Sequence, residues 1–139
     1  MRLLYVDTGY FLALALRRDV HHVVAVAHFT ALAAGSATLL TTDAVIGETL
    51  TRLRYDGGVA PVTIFARSIE AMASGGTLRI EESAPTSRAQ AVDLVARYDT
   101  RPLSYADALG AVVARRHDVD AVLGFDEDFR MLGFALEPS

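Results

Sequence analysis

The chain alternates between short apolar runs and longer stretches whose apolar residues recur with helical spacing. Short apolar runs next to helices are typical of parallel strands covered on both faces. The pattern predicts strands at residues 2–6, 38–41, 77–81 and 121–125, with a further short strand at 134–136.

Between these strands, apolar positions three or four apart predict helices. The predicted helices cover residues 8–16, 21–34, 44–55, 62–73, 85–98 and 105–116. Strands that alternate with helices favour a parallel sheet with helices on both faces. We therefore interpret residues 1–139 as a single α/β domain.

Small hydroxyl and acidic residues stand where most of these helices begin. A side-chain oxygen at such a position can accept a free N–H of the first helical turn. Thr8, Thr42 or Asp43, Ser83 and Ser104 are the predicted starting residues.

Four acidic residues fall at corresponding places in this pattern. Asp7 follows the first strand, and Glu48 projects from the helix after the second strand. Asp107 lies in the first turn of the last long helix, and Asp126 ends the strand that follows it. Ligands of open α/β sheets collect beyond the carboxyl ends of the strands, so these side chains are predicted to converge. Converged carboxylates repel one another unless a hard cation such as Mg²⁺ neutralises them.

Each acid alone has an ordinary structural interpretation. The three aspartates can be helix caps or first-turn partners of the helix dipole. Glu48 can pair with Arg52 one helical turn further on. Asp128 can support a metal site from behind or simply cap a turn. Only the joint placement of the four acids indicates a site.

Composition excludes several chemistries. All 13 basic residues are arginine, so a Walker phosphate loop and a Schiff-base lysine are excluded. The chain has no cysteine, so disulfides and thiolate metal sites are excluded as well. The net charge of −4 is not typical of a strong nucleic-acid binder. The apolar N-terminal segment is interrupted by Asp7 and is too short to span a bilayer. We therefore expect a cytoplasmic protein with no membrane partner.

Two further groups of residues are weaker candidates. His21, His22 and His28 could form a metal cluster, but their amphipathic setting favours surface histidines. Four arginines could contact phosphates at the rim of the site or be solvated charges; these are Arg17, Arg18, Arg52 and Arg54.

Three segments together resemble the PIN-domain ribonucleases, in particular the small VapC-like toxins of toxin–antitoxin pairs. They are residues 6–22 (VDTGYFLALALRRDVHH), 41–54 (TTDAVIGETLTRLR) and 103–129 (LSYADALGAVVARRHDVDAVLGFDEDF). The resemblance implies a three-layer α/β/α fold around a mainly parallel sheet of four to five strands. It also implies metal-dependent endonucleolytic cleavage of RNA.

The same resemblance assigns roles to residues and implies partners. The residues matching the family's catalytic acids are Asp7, Glu48, Asp107 and Asp126. Asp7, Asp107 and Asp126 would hold Mg²⁺ or Mn²⁺, and Thr8 and Ser104 match hydroxyl residues that flank such sites. Toxins of this kind usually form homodimers and are silenced by a small antitoxin with a DNA-binding end.

Other functions remain open at the level of sequence. One is an RNA-processing PIN nuclease outside any toxin–antitoxin pair. Another is a PIN-like domain that binds RNA or a partner without cleaving. A phosphoacceptor signalling domain shares the alternation of strands and acids, but such domains use a lysine near the phosphate, and this chain has none.

Overall fold

The computed structural model describes residues 1–139 and contains one five-stranded parallel sheet. The strands are β1 (Leu3–Val6), β2 (Thr38–Thr42), β3 (Leu78–Glu81), β4 (Ala121–Leu123) and β5 (Leu136–Glu137). Their spatial order is β3-β2-β1-β4-β5, and all neighbouring pairs are parallel. The predicted parallel sheet is therefore confirmed, with β1 at its centre and the carboxyl ends of all strands at one edge.

Seven helices surround the sheet. They are α1 (Thr8–Ala15), α2 (His22–Ala33), α3 (Asp43–Gly57), α4 (Val59–Ser74), α5 (Pro85–Arg97), α6 (Tyr105–Arg116) and α7 (Asp128–Met131). The first six agree with the predicted helices to within a few residues. Helix α7 is missing from the prediction because a single turn is too short to show helical spacing.

The helices form two packed groups, which touch where α3 meets α6. Helix α5 packs on α6, whereas α1 packs on α2 and α3, and α3 packs on α4. Gly58, with φ at +87°, separates α3 from α4 in a conformation that favours glycine. None of the helices combines the length and the apolar character that crossing a bilayer takes.

Tyr5 of β1 anchors the central strand against α6. Its ring is fully buried in a core of 29 apolar residues. Gly110 of α6 makes room for it, because a Cβ atom at Gly110 would lie 2.5 Å from the Tyr5 hydroxyl oxygen. That hydroxyl lies 3.4 Å from Oγ1 of Thr42. Burial raises the pKa of Tyr5 far above its ordinary value, so the phenol stays neutral.

The predicted helix starts are partly correct. Thr42 caps α3 by accepting the N–H of Val45 at 3.2 Å, and Ser104 caps α6 by accepting the N–H of Asp107 at 3.1 Å. The prediction for Thr8 is wrong, because Asp7 occupies the N-cap position of α1 and Thr8 is its first helical residue. Ser83 does not cap α5 either, because its hydroxyl donates to Asp43 Oδ1 at 2.7 Å.

Strand β4 is shorter than predicted. It ends at Leu123, and Gly124 and Phe125 form a bend before Asp126. The apolar run continues past the strand because both bend residues pack against neighbours: Gly124 lies against Asp7, and Phe125 lies against Tyr10.

Candidate metal centre

The edge formed by the carboxyl ends of the strands carries the four predicted acids. Asp7 directly follows β1, and its N–H donates to the carbonyl of Leu123 at 3.0 Å, which extends the pairing of β1 with β4 up to the acid. Asp126 follows the bend after β4, Asp107 lies in the first turn of α6, and Glu48 lies on α3. Because β1 and β4 are adjacent and parallel, their two aspartates lie at the same edge.

Asp7 is the deepest of these acids. Its residue is 4% exposed, and Oδ1 of the carboxylate is buried without a hydrogen-bond partner. Burial is the main cause that raises the pKa of Asp7 well above its ordinary value, followed by the charge of Asp107. The charges of Asp126 and Glu48 raise this pKa further. The charges of the other three acids therefore all act on Asp7.

The pKa of Asp107 is also raised by burial and by neighbouring acids, although Asp107 is more exposed than Asp7. Burial and the charge of Asp126 raise the pKa of Asp107 to about 6, although the hydrogen bond from Ser104 lowers it in part.

No arginine or histidine forms an ion pair with Asp7, Glu48, Asp107 or Asp126. In particular, the alternative ion pair between Glu48 and Arg52 does not form. The negative charge of the cluster is therefore not balanced by side chains of the chain itself.

Asp128 lies beside these acids, and an arginine balances its charge. Oxygen atoms of Asp107, Asp126 and Asp128 lie within 4.8 Å of one another, and neither the buried Asp7 nor Glu48 belongs to this compact group. The N–H of Asp128 donates to Asp126 Oδ1 at 2.9 Å, and Arg101 Nε donates to Asp128 Oδ1 at 2.6 Å. Asp128 thus orients Asp126 through the backbone while its own carboxylate binds Arg101.

Two residues at the site have roles that sequence reasoning missed. Gly124 lies against Asp7, and a Cβ atom there would be 3.2 Å from the Asp7 Cβ and 3.5 Å from its Oδ2. Arg101, in the loop before α6, balances Asp128. A glycine inside an apolar run, two residues before an acid, is a usable signal for close approach of backbone and side chain. No local pattern marks Arg101.

The three N-terminal histidines do not form a cluster. His28 lies between the Tyr10 hydroxyl at 2.8 Å and Glu137 Oε1 at 3.1 Å, and a ring nitrogen of His22 lies 2.6 Å from the carbonyl of Ala13. The prediction of surface histidines is thus wrong for His22 and His28, because both rings are partly buried and bound within the fold. It is correct for His21, which is exposed.

An apolar cavity of about 460 Å³ lies apart from the carboxylates, between α1, α2 and α4. Most of its lining is aliphatic or aromatic, with Phe11, Phe29 and Phe65 among the residues, and none of the lining residues is charged. This cavity offers no group for acid–base or metal chemistry, so the acidic edge of the sheet is the candidate active site.

The fold and the site together define a class of protein. A parallel α/β sheet here carries a cluster of carboxylate oxygens without lysine or histidine, and such oxygens are the ligands that hard divalent cations prefer in proteins. Comparison with known families agrees, because residues 4–135 match the PIN domain. The chain belongs to the PIN domain family.

Similar proteins cover almost the whole chain. The chain is 29% identical over 133 residues to the 23S rRNA-specific endonuclease VapC20 of Mycobacterium tuberculosis, which covers 95% of each chain. The crystal structure of M. tuberculosis VapC20, described as a sarcin–ricin loop cleaving toxin, superposes with a TM-score of 0.83 at 27% identity. That superposition covers 95% of this chain and 96% of VapC20.

A more distant structure supports the fold alone. VapBC2 from Rickettsia felis, bound to a DNA fragment from its promoter, superposes with a TM-score of 0.66 at 14% identity. It covers 97% of this chain and 97% of the matched chain.

Proposed function

We propose that this protein is a metal-dependent endoribonuclease and the toxin of a toxin–antitoxin pair. The observation that carries the proposal is the group of carboxylates at the carboxyl edge of the sheet, where Asp107 and Asp126 lie within 4.8 Å of each other and no arginine or histidine pairs with either of them or with Asp7. Membership of the PIN domain family and the similarity to VapC20 support it.

The residues present fit a divalent cation. All four converged side chains are carboxylates, and Asp7 Oδ1 and Thr8 Oγ1 are buried without hydrogen-bond partners. An unpartnered buried oxygen is costly unless something binds it. Asp7, Asp107 and Asp126 would hold Mg²⁺ or Mn²⁺, and Glu48 would complete the acidic set. When bound, such an ion lowers the pKa of water and stabilises negative charge on a phosphodiester.

The chain's own residues would prepare the site in three ways. The Ser104 cap fixes the start of α6 and with it Asp107. The N–H of Asp128 fixes one oxygen of Asp126. The absent side chain at Gly124 leaves Asp7 free to point into the cluster. Catalytic carboxylates that are fixed in this way lose little freedom on binding substrate, which is the usual route to efficient positioning.

We propose RNA as the substrate and take the sarcin–ricin loop of 23S rRNA as the first candidate sequence. VapC20 is a 23S rRNA-specific endonuclease, and its structure covers nearly all of this chain. Specific recognition of RNA depends on unpaired bases and local shape. A hairpin with this loop is therefore a better first substrate than a duplex.

As a toxin, the protein would act in the cytoplasm and be silenced by a small antitoxin that carries a DNA-binding end. We also expect it to form a homodimer. Co-expression tests the toxin role: production of the chain alone should stop growth, and the product of a neighbouring small reading frame should restore it. Growth that is unaffected would favour an RNA-processing role for the same nuclease site.

The enzymatic proposal is tested by cleavage of end-labelled RNA in Mg²⁺ or Mn²⁺, with EDTA as the metal-free condition. Asp7→Asn and Asp107→Asn should each reduce cleavage by about a hundredfold or more. Asp93→Asn, an exposed acid on α5, is the matched control and should cleave like the unmodified protein. Cleavage in EDTA, or full activity of both site variants, would contradict the mechanism.

A further inference from the structure

The imidazole of His21 lies flat on the ring of Phe125 beside the acidic edge. The two ring centroids are 4.0 Å apart and the planes differ by 4°. Phe125 directly precedes Asp126 in the chain. A stacked pair of aromatic rings is thus one residue away from a carboxylate of the candidate metal centre.

Other residues of the fold hold the stacked rings of His21 and Phe125 in place. Phe125 also stacks on Tyr10 of α1, with centroids 6.3 Å apart and planes within 16°. Tyr10 is fully buried, and its hydroxyl is hydrogen bonded to His28. On the other side, the backbone N–H of His21 donates to Asp19 Oδ1 at 2.8 Å. Both rings are therefore fixed before any ligand binds.

His21 differs from the neighbouring histidines in what its ring contacts. The rings of His22 and His28 are hydrogen bonded within the chain, whereas neither ring nitrogen of His21 has a hydrogen-bond partner there. His21 is exposed although one face of its ring lies on Phe125. The outer face of the ring is consequently available to a ligand.

We propose that His21, supported by Phe125, stacks on an unpaired base of the RNA next to the phosphate that is cleaved; this inference rests on the proposed endoribonuclease function. Bases of single-stranded RNA bind proteins by stacking on aromatic side chains, and every base has a face that can do so. Arg17 and Arg18 are exposed in the same loop and supply positive charge for the adjoining phosphates.

The stack explains how an acidic protein could position RNA at this edge. The four acids repel a phosphate backbone until a cation is present, so contacts to the bases must contribute to binding. Because His21 lies on Phe125 and Phe125 is bonded to Asp126, a nucleotide with its phosphate at Asp126 can place a neighbouring base on the outer face of His21.

The test uses three variants and a fluorescent RNA. His21→Ala removes the stacking ring, His21→Phe keeps it without ring nitrogens, and Val20→Ala is the matched control at an 88% exposed neighbour. The probe is a hairpin with the sarcin–ricin loop in which 2-aminopurine replaces one unpaired loop base at a time, because stacking tolerates any base. Stopped-flow quenching of 2-aminopurine reports stacking before cleavage, and steady-state assays in Mn²⁺ give KM and kcat.

We expect quenching at the position next to the cleaved bond. His21→Ala should abolish this quenching and raise KM about tenfold with little change in kcat. His21→Phe and Val20→Ala should behave like the unmodified protein. Thermal melting of each variant verifies that it is folded.

Two results would overturn the proposal. One is unchanged KM and quenching in His21→Ala; the other is equal loss in His21→Phe and His21→Ala, which would assign the imidazole a hydrogen-bonding role instead. Failure of the proposed nuclease function would give a different result. If the protein never cuts RNA but the quenching still depends on His21, the stacking proposal stands and only the enzymatic proposal fails.

Discussion

Arg101 and Asp128 form an ion pair at the border of the acidic cluster, with Arg101 Nε 2.6 Å from Asp128 Oδ1. The arginine side chain is half exposed, whereas that of Asp128 is 12% exposed. The pair supplies the only positive charge in direct contact with the group of carboxylates formed by Asp107, Asp126 and Asp128. It thereby limits how negative the site becomes.

Removal of this charge should strengthen cation binding. Arg101→Ala leaves Asp128 unbalanced, and one additional negative charge attracts a divalent ion more strongly. We expect the affinity for Mn²⁺, measured by isothermal titration calorimetry, to increase about three- to tenfold. Arg101→Lys keeps the charge and should bind Mn²⁺ like the unmodified protein. Equal affinities in all three proteins would show that Arg101 does not act on the site through its charge.

The cation-free protein should lose stability as the pH rises from about 5 to 7.5. The pKa of Asp107 is about 6 in the folded protein against an ordinary value of 3.8, and that of Asp7 is also raised. A raised carboxyl pKa means that the folded state binds the proton more tightly than the unfolded state. The resulting stabilisation is complete below the ordinary pKa and disappears as the pH passes the folded pKa.

Thermal melting with and without Mg²⁺ or Mn²⁺ measures this effect. The ions should raise Tm more at about pH 7.5 than at about pH 5, because protons and cations compete for the same oxygens. In Asp107→Asn both the pH dependence and the effect of the ions should be smaller. The range begins near pH 5 to avoid the protonation of Glu137, whose pKa is lowered mainly by its hydrogen bond from Arg2. His117 acts in the opposite direction, because burial lowers its pKa below 6.5, so the comparison with Asp107→Asn isolates the acids. A pH dependence of Tm that is the same in Asp107→Asn as in the unmodified protein would contradict the account.

A side chain at Gly124 should harm activity more than stability. Gly124→Ala places a Cβ atom 3.2 Å from the Asp7 Cβ, so Asp7 must shift by a few tenths of an ångström. Small displacements of catalytic groups are costly in rate, and we expect RNA cleavage to fall about tenfold. Cleavage assays and urea unfolding of the same preparation separate the two effects. If the unfolded fraction of Gly124→Ala explains the whole loss of RNA cleavage, Gly124 has no role in positioning Asp7.

A side chain at Gly110 should instead destabilise the fold. A Cβ atom there would lie 2.5 Å from the hydroxyl oxygen of the fully buried Tyr5. Overpacking of this kind costs about 1–3 kcal/mol in the free energy of unfolding. Gly47→Ala is the matched control, because Gly47 is an exposed residue of α3 with nothing within 4 Å of its Cβ position. That variant should gain about 0.5–1 kcal/mol in urea unfolding; equal stability of the two variants would contradict the packing.

The parts of the structure that were predictable depend on local signals. Apolar runs and helical spacing predict the sheet and six helices, and the hydroxyl of Ser104 marks the start of α6 correctly. The joint position of the four acids was also predictable, because parallel strands place their carboxyl ends at one edge. Thr8 shows the limit of this reasoning. Asp7 is the single residue between β1 and α1, so no separate capping residue fits between the strand and the helix.

Contacts between distant residues could not be predicted in this way. The partners of His28 are Tyr10 and Glu137, which lie 18 and 109 residues away along the chain. Arg101 and Asp128 are 27 residues apart, and nothing in either local sequence distinguishes a paired arginine from a solvated one. The stack of His21 on Phe125 is also a contact between distant residues, because it needs the start of α2 to lie next to the bend after β4.

The central claim is that Asp7, Asp107 and Asp126 share one divalent cation. Crystals soaked in Mn²⁺ and measured near the manganese absorption edge test it directly, because the anomalous signal locates the ion. We predict a strong anomalous peak within about 2.5 Å of oxygen atoms from these three carboxylates. A peak elsewhere in the molecule, or no peak in crystals of protein that cleaves RNA in Mn²⁺, would contradict the account.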